Sequence, residues 1–164
     1  MELDTNEINS ISSKICPDCN KSYIDIIWCK DCNAKQFRQN FPNWTSGNEF
    51  IDSFIQETQL NARNSNYVLE WIPYDRFKDI NYIDKERNCV IYKAIWLDGP
   101  IEKWSYKERK WIRYNEEDQS DGNSQPKGWK VDLKSLNSND LNDEYLNKVQ
   151  YDNNISLVLK NFSN

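Results

Sequence analysis

At 164 residues, with 38% hydrophobic and 29% charged residues, the chain has material for one packed domain and a small appendage, but not for two large lobes. A net charge of −5 argues against a general nucleic-acid-binding face, and no run of about 18 apolar residues exists to span a membrane. Met1-Glu2-Leu3-Asp4 is too acidic and polar for a secretory signal, so the five cysteines read as thiols of a cytoplasmic or nuclear protein that hold metal rather than disulfides.

Residues 1–15 read as a disordered N-terminus and 16–45 as a compact metal module. Cys16-Pro17-Asp18-Cys19 and Cys29-Lys30-Asp31-Cys32 form two C-x-x-C pairs separated by nine residues. Each pair can clamp one side of a tetrahedral ion, and Zn²⁺ accepts four thiolates without geometric strain. The alternatives are a redox dithiol and a pair of exposed, functionless C-x-x-C motifs. Dithiol chemistry calls for one pair at a helix N-terminus in a βαβ setting, which the pattern does not suggest. With four thiolates and no open position, Cys16, Cys19, Cys29 and Cys32 point to a structural zinc. Asn20 and Asn33 follow the two pairs, and Asn tolerates the left-handed backbone of a knuckle. Tyr23 to Trp28 reads as a strand, which makes the module a zinc-ribbon-like hairpin. Lys21, Lys30 and Lys35 can offset the charge of the thiolates.

Residues 46–66 predict a connecting helix. Ser46-Gly47-Asn48-Glu49 has the form of a capping box, and Phe50, Ile51, Phe54, Ile55, Thr58 and Ala62 recur at helical spacing. That stripe predicts packing against the following sheet, with a partner-binding helix as the alternative. Pro73 ends the short apolar approach from Val68 to Tyr74.

Phe77–Lys85 and Val90–Leu97 alternate apolar and polar residues about a tight turn, as an antiparallel hairpin requires. The turn reads as the opening of a protein kinase without its glycines. In the frame Gly-x-Gly-x-x-Gly-x-Val, Asp84, Glu86 and Cys89 occupy the glycine positions and Ile91 the valine. Carboxylates there meet a triphosphate with like charge. Residues 98–127 form an insertion in which Trp104, Trp111 and Tyr114 lie among basic residues. Stacking of single-stranded nucleic acid is one reading. The adjacent Glu102, Glu108, Glu116, Glu117 and Asp118 favour a hairpin whose tryptophans cover the sheet. Val131-Asp132-Leu133-Lys134 then reads as a strand. An amphipathic helix carrying Leu141, Tyr145, Leu146 and Val149 follows it, and Ile155 to Phe162 supplies a further strand.

The runs Trp28-Cys29-x-x-Cys32-Asn33, Asn40-Phe41-x-Asn43-Trp44-Thr45-Ser46-Gly47-Asn48, Leu69-Glu70-Trp71-Ile72-Pro73-Tyr74-Asp75-Arg76-Phe77 and Tyr92-Lys93-Ala94-Ile95-Trp96-x-Asp98-Gly99 resemble the expanded protein-kinase-like family of arbuscular mycorrhizal fungi. The resemblance runs from about Cys16 to Val149. It implies an α+β chain in which a cysteine-pair module and a linking helix precede an isolated kinase-type N-lobe over 67–164, an antiparallel sheet with one αC-like helix. It also implies Gly at 84, 86 and 89, Ala at 132 and Glu at 148, where this chain has Asp84, Glu86, Cys89, Asp132 and Lys148. Ile91 and Lys134 are the remnants of an ATP site, and Asp132 is placed to neutralise Lys134.

The chain has no His, hence no His-Arg-Asp loop, and no Asp-Phe-Gly, and it ends about where a fourth strand of the lobe is due. The expectation is a non-catalytic, truncated pseudokinase with a structural zinc. It would not bind ATP, nucleic acid or membrane, and would act on protein partners such as intact kinase relatives. The alternatives are a working member of an ATP-binding serine/threonine/tyrosine kinase family and a decaying gene fragment.

Overall fold

The computed structural model describes residues 14–86, 89–114, 116–117, 126–136 and 155–157. Among the described residues two α-helices, α1 (Lys30–Asn40) and α2 (Glu49–Asn61), precede seven strands. The strands are β1 (Phe77–Lys85), β2 (Cys89–Trp96), β3 (Ile101–Ser105), β4 (Lys110–Arg113), β5 (Glu116–Glu117), β6 (Pro126–Leu136) and β7 (Ile155–Leu157). The class is α+β, as expected. No described helix is long and apolar enough to cross a membrane.

The larger sheet runs β1-β2-β6-β5, antiparallel throughout, with β7 added parallel to β6. Its register explains its core. Tyr92, Ala94 and Trp96 lie opposite Leu133, Val131 and Trp129, and Phe77 lies opposite Trp96. Opposed residues share a face, and these join Ile72 and Ile80 in one apolar cluster. The predicted hairpin and the Val-x-Leu-Lys strand are therefore both present. The predicted αC-like helix, with Lys148, lies outside the described residues.

Gly128 sits in β6 at φ +79°, where an added Cβ falls 2.6 Å from Ile95 Cγ2 and 2.7 Å from the Trp96 carbonyl oxygen. Left-handed backbone costs a residue with a Cβ about 1–2 kcal/mol, and overpacking adds about 1–3. Gly128→Ala is therefore expected to lose about 2–5 kcal/mol in urea unfolding.

The connecting helix is shorter than the 46–66 of the sequence reading, and its cap is two residues later. Asn48 is the N-cap, and its Oδ1 accepts from the amides of Phe50 (3.0 Å) and Ile51 (3.4 Å). Ser46 instead donates to Asp52, which also accepts from the Ser46 amide (2.8 Å) and the Thr45 hydroxyl. Burial pushes the Asp52 carboxyl up, but these donors outweigh it and hold it below the ordinary range. Gly47, at φ +81°, lets the chain turn between the two networks.

Among the described residues α2 packs chiefly on α1. Ile51, Ile55, Thr58 and Gln59 are its buried positions, and Gln59 Nε2 donates to the Leu69 carbonyl at 2.7 Å. A second core joins Trp28, Phe37, Ala62 and Ile101, with Phe41, Val68 and Trp111 against it. The β3–β4 hairpin belongs to this core. Its Trp111 stacks on Phe37 at 4.5 Å between ring centroids and meets Trp104 edge-on at 5.1 Å. The insertion is a hairpin as expected, but its tryptophans cover the cysteine module rather than the sheet.

Candidate metal centre

Cys16 and Cys19 lie on a knuckle closed by backbone bonds. The Asn20 amide donates to the Cys16 carbonyl and the Cys16 amide to the Lys21 carbonyl, both at 2.9 Å. Asn20 takes the expected left-handed conformation, at φ +58°. The second pair is built differently. Cys29 is the N-cap of α1 and Cys32 lies in its first turn. Asn33 is helical, its amide donating to the Cys29 carbonyl at 2.9 Å, and it is buried. The expected strand from Tyr23 to Trp28 is reduced to isolated bridges, Ile15 to Ser22 and Asp25 to Trp28. A knuckle facing a helix N-terminus thus replaces the zinc-ribbon-like hairpin. The physical cause lies in Lys30 to Asn40, which is rich in straight-chain helix formers and carries Asp31 in its first turn, where the helix dipole favours a carboxylate.

The four sulfurs converge. Cys16 Sγ lies 3.7 Å from Cys32 Sγ, Cys19 Sγ lies 3.5 Å from Cys29 Sγ, and all four are within 4.8 Å of one another. A disulfide needs about 2.05 Å. Four sulfurs each about 2.3 Å from one ion stand about 3.8 Å apart at the corners of a tetrahedron. The separations fit the tetrahedron, and the four thiols are placed to hold a metal ion.

The electrostatics agree with that reading. Burial pushes the Cys32 and Cys29 thiols up, and for Cys32 the neighbouring thiols add to the rise. Burial also opposes ionisation of Cys16, but the Tyr106 hydroxyl and the backbone amides of Cys19 and Asp18 draw it down to about 7. Four crowded thiols cannot all ionise on their own, whereas a bound cation reverses that balance. The positive end of α1 lies at the second pair. Of the expected lysines, Lys21 is committed to Asp31 at 2.6 Å, a bridge between the two halves of the site.

Two contributors were not identified from sequence. Tyr106, at the tip of the β3–β4 hairpin, places its hydroxyl 3.2 Å from Cys16 Sγ. Arg109 grips Asp18 through Nη1, at 3.0 Å from Oδ1 and 2.8 Å from Oδ2. Both contacts span about ninety positions of chain, and no local pattern reveals them.

The expected ATP-site remnants lie elsewhere. Ile91 and Lys134 are cross-strand partners on β2 and β6, with Asp84 across from Ile91 on β1. They share the sheet face opposite the aromatic core. Asp132 lies across from Lys93, and among the described residues it makes no ion pair with Lys134, so the expected neutralisation is not seen.

No family model and no solved structure matches the chain. It is 26% identical over 110 residues, 67% of its own length, to an uncharacterized protein of Methanocaldococcus jannaschii, and it spans 11% of that relative. The kinase-like resemblance therefore rests on the residues quoted for it.

Proposed function

We propose that this chain is a non-catalytic protein-binding module built around one structural Zn²⁺, with a protein-kinase-like sheet that does not transfer phosphate. The convergence of Cys16, Cys19, Cys29 and Cys32 carries the proposal. Four thiolates fill a tetrahedral shell and leave no position for substrate, which suits a structural ion. The antiparallel β1-β2-β6 order, with Lys134 across from Ile91, supports the kinase-like reading of the sheet. Asp84 and Glu86 replace phosphate-cradling glycines, and the absence of His removes any His-Arg-Asp base from these residues.

The turn between the cysteine pairs supports a protein partner. Ile26 is 88% exposed at its tip, and Ile24 and Ile27 are exposed beside it. Ile27 has φ +53°, a left-handed conformation that is an outlier for a β-branched residue. The turn is pinned by the Trp28 amide to the Asp25 carbonyl (3.1 Å), by Asn64 to Asp25 (2.7 Å) and by Trp28 Nε1 to the Ala62 carbonyl (3.0 Å). A rigid apolar point of this kind suits a pocket on a partner such as an intact kinase relative.

The test uses the zinc-loaded full chain. Calorimetry with Mg-ATP is expected to show no saturable binding, and radiolabelled ATP no transfer to protein acceptors. Transfer by the purified chain that disappears in Lys134→Ala would overturn the proposal. For the binding role, any partner recovered from native extract is expected to be lost with Ile26→Asp. Retention of that partner would contradict the assigned surface.

A further inference from the structure

The tip of the β3–β4 hairpin reaches the cysteine cluster with two different chemistries. Tyr106 offers a hydroxyl 3.2 Å from Cys16 Sγ. Arg109 offers a guanidinium to both carboxylate oxygens of Asp18, which lies between the ligands Cys16 and Cys19. Arg109 holds φ +54°, with its amide bonded to the Ser105 carbonyl at 2.7 Å. A residue with a Cβ disfavours that φ, so the turn is held there against a local preference. Behind the tip, Trp104 and Trp111 hold the hairpin against Phe37 and Trp28 of the module. Among the described residues the hairpin makes no hydrogen bond to Cys29 or Cys32, and the second pair is tied to the first by the exposed Lys21–Asp31 bridge.

We propose that the hairpin tip is a latch on the metal centre, in which Tyr106 and Arg109 are positioning residues that set how slowly the ion is lost. The proposal rests on the metal reading above. Release of the ion requires one ligand sulfur to move away from the other three. The hydrogen bond between the Tyr106 hydroxyl and Cys16 Sγ, at 3.2 Å, holds that sulfur in its place in the cluster. The Asp18–Arg109 pair holds the knuckle that carries both Cys16 and Cys19. Both contacts therefore act on the first knuckle, which becomes the guarded exit. Groups that orient metal ligands typically change metal affinity by about 10–100-fold when removed.

The experiment follows zinc transfer from the full chain to excess 4-(2-pyridylazo)resorcinol, with the absorption of the cobalt-substituted chain as a report on ligand identity. Arg109→Ala and Tyr106→Phe are each expected to release zinc about 10–100-fold faster while keeping the cobalt–thiolate spectrum. Glu108→Ala, in the same turn, is expected to leave the rate unchanged. The reciprocal exchange, Asp18→Arg with Arg109→Asp, is expected to recover slow release relative to either single change. A chain that binds cobalt normally, yet releases zinc at the same rate with and without Arg109 and Tyr106, would overturn the latch alone. A parent chain that binds neither metal would overturn the metal reading and the latch with it.

Discussion

Removing the metal is expected to dissolve the cysteine module while the larger sheet persists. Apparent binding energies of structural zinc are about 10–16 kcal/mol at neutral pH, comparable with the whole stability of a domain. Local structure alone does not hold residues 14–40. The knuckle contributes isolated bridges, and α1 has 11 residues, fewer than the ~12–15 an isolated helix needs. Loss of α1 takes Phe37 from Trp111 and opens the core formed with Trp28, Ala62 and Ile101. The β1-β2-β6 sheet has a separate apolar cluster, from Ile72 to Leu133, and contains none of the four ligands. Hydrogen exchange with and without a strong chelator should therefore show lost protection in α1 and β3–β4, with retained protection in β2 and β6. Unchanged protection in α1 would contradict this account.

Glu70→Ala is expected to cost about 3–5 kcal/mol, the usual penalty for breaking a buried ion pair. The Glu70 side chain is only 12% exposed and accepts from both terminal nitrogens of Arg113, at 3.2 and 2.6 Å, and from the Ile101 amide at 3.0 Å. Burial pushes its carboxyl up, against the pull of Arg113 and the Ile101 amide. Arg113 also donates to the Gly99 carbonyl at 2.7 Å and lies 5.6 Å from the centre of the Trp96 ring. One carboxylate thus fastens the segment before β1 to both strands of the hairpin, and its partner rests on the core of the larger sheet. Truncation leaves the Ile101 amide without its acceptor and the guanidinium with the Gly99 carbonyl but no counter-charge. Replacing the pair together, as Glu70→Leu with Arg113→Met, should recover much of the loss. Urea unfolding measures both, and a loss below about 1 kcal/mol for the single change would contradict the role assigned to the pair.

The parts of this fold that sequence reveals are those set by local pattern. The spacing of Cys16, Cys19, Cys29 and Cys32 identifies the cysteine cluster, alternation identifies β1 and β2, and Val-x-Leu-Lys identifies the strand carrying Lys134. Local ambiguity produced the errors. An Asn after a cysteine pair suits a left-handed knuckle at Asn20, but Asn33 continues a helix that Cys29 begins. Ser46 and Asn48 are both good caps, and the choice between them depends on Asp52 accepting from Ser46 and Thr45. The destination of Trp104 and Trp111 was illegible for another reason. Amphipathic alternation shows that a hairpin has an apolar face, but not which distant core will cover it. The pairs Glu70–Arg113 and Asp18–Arg109 share that property, because an ion pair between distant segments has no signature of spacing.

Native mass spectrometry of the reduced full chain tests the central claim most directly. One tightly held zinc per chain is expected, lost in Cys16→Ser or Cys32→Ser and retained in Cys89→Ser. A folded chain without metal, or metal content that follows Cys89 rather than the four clustered cysteines, would contradict it.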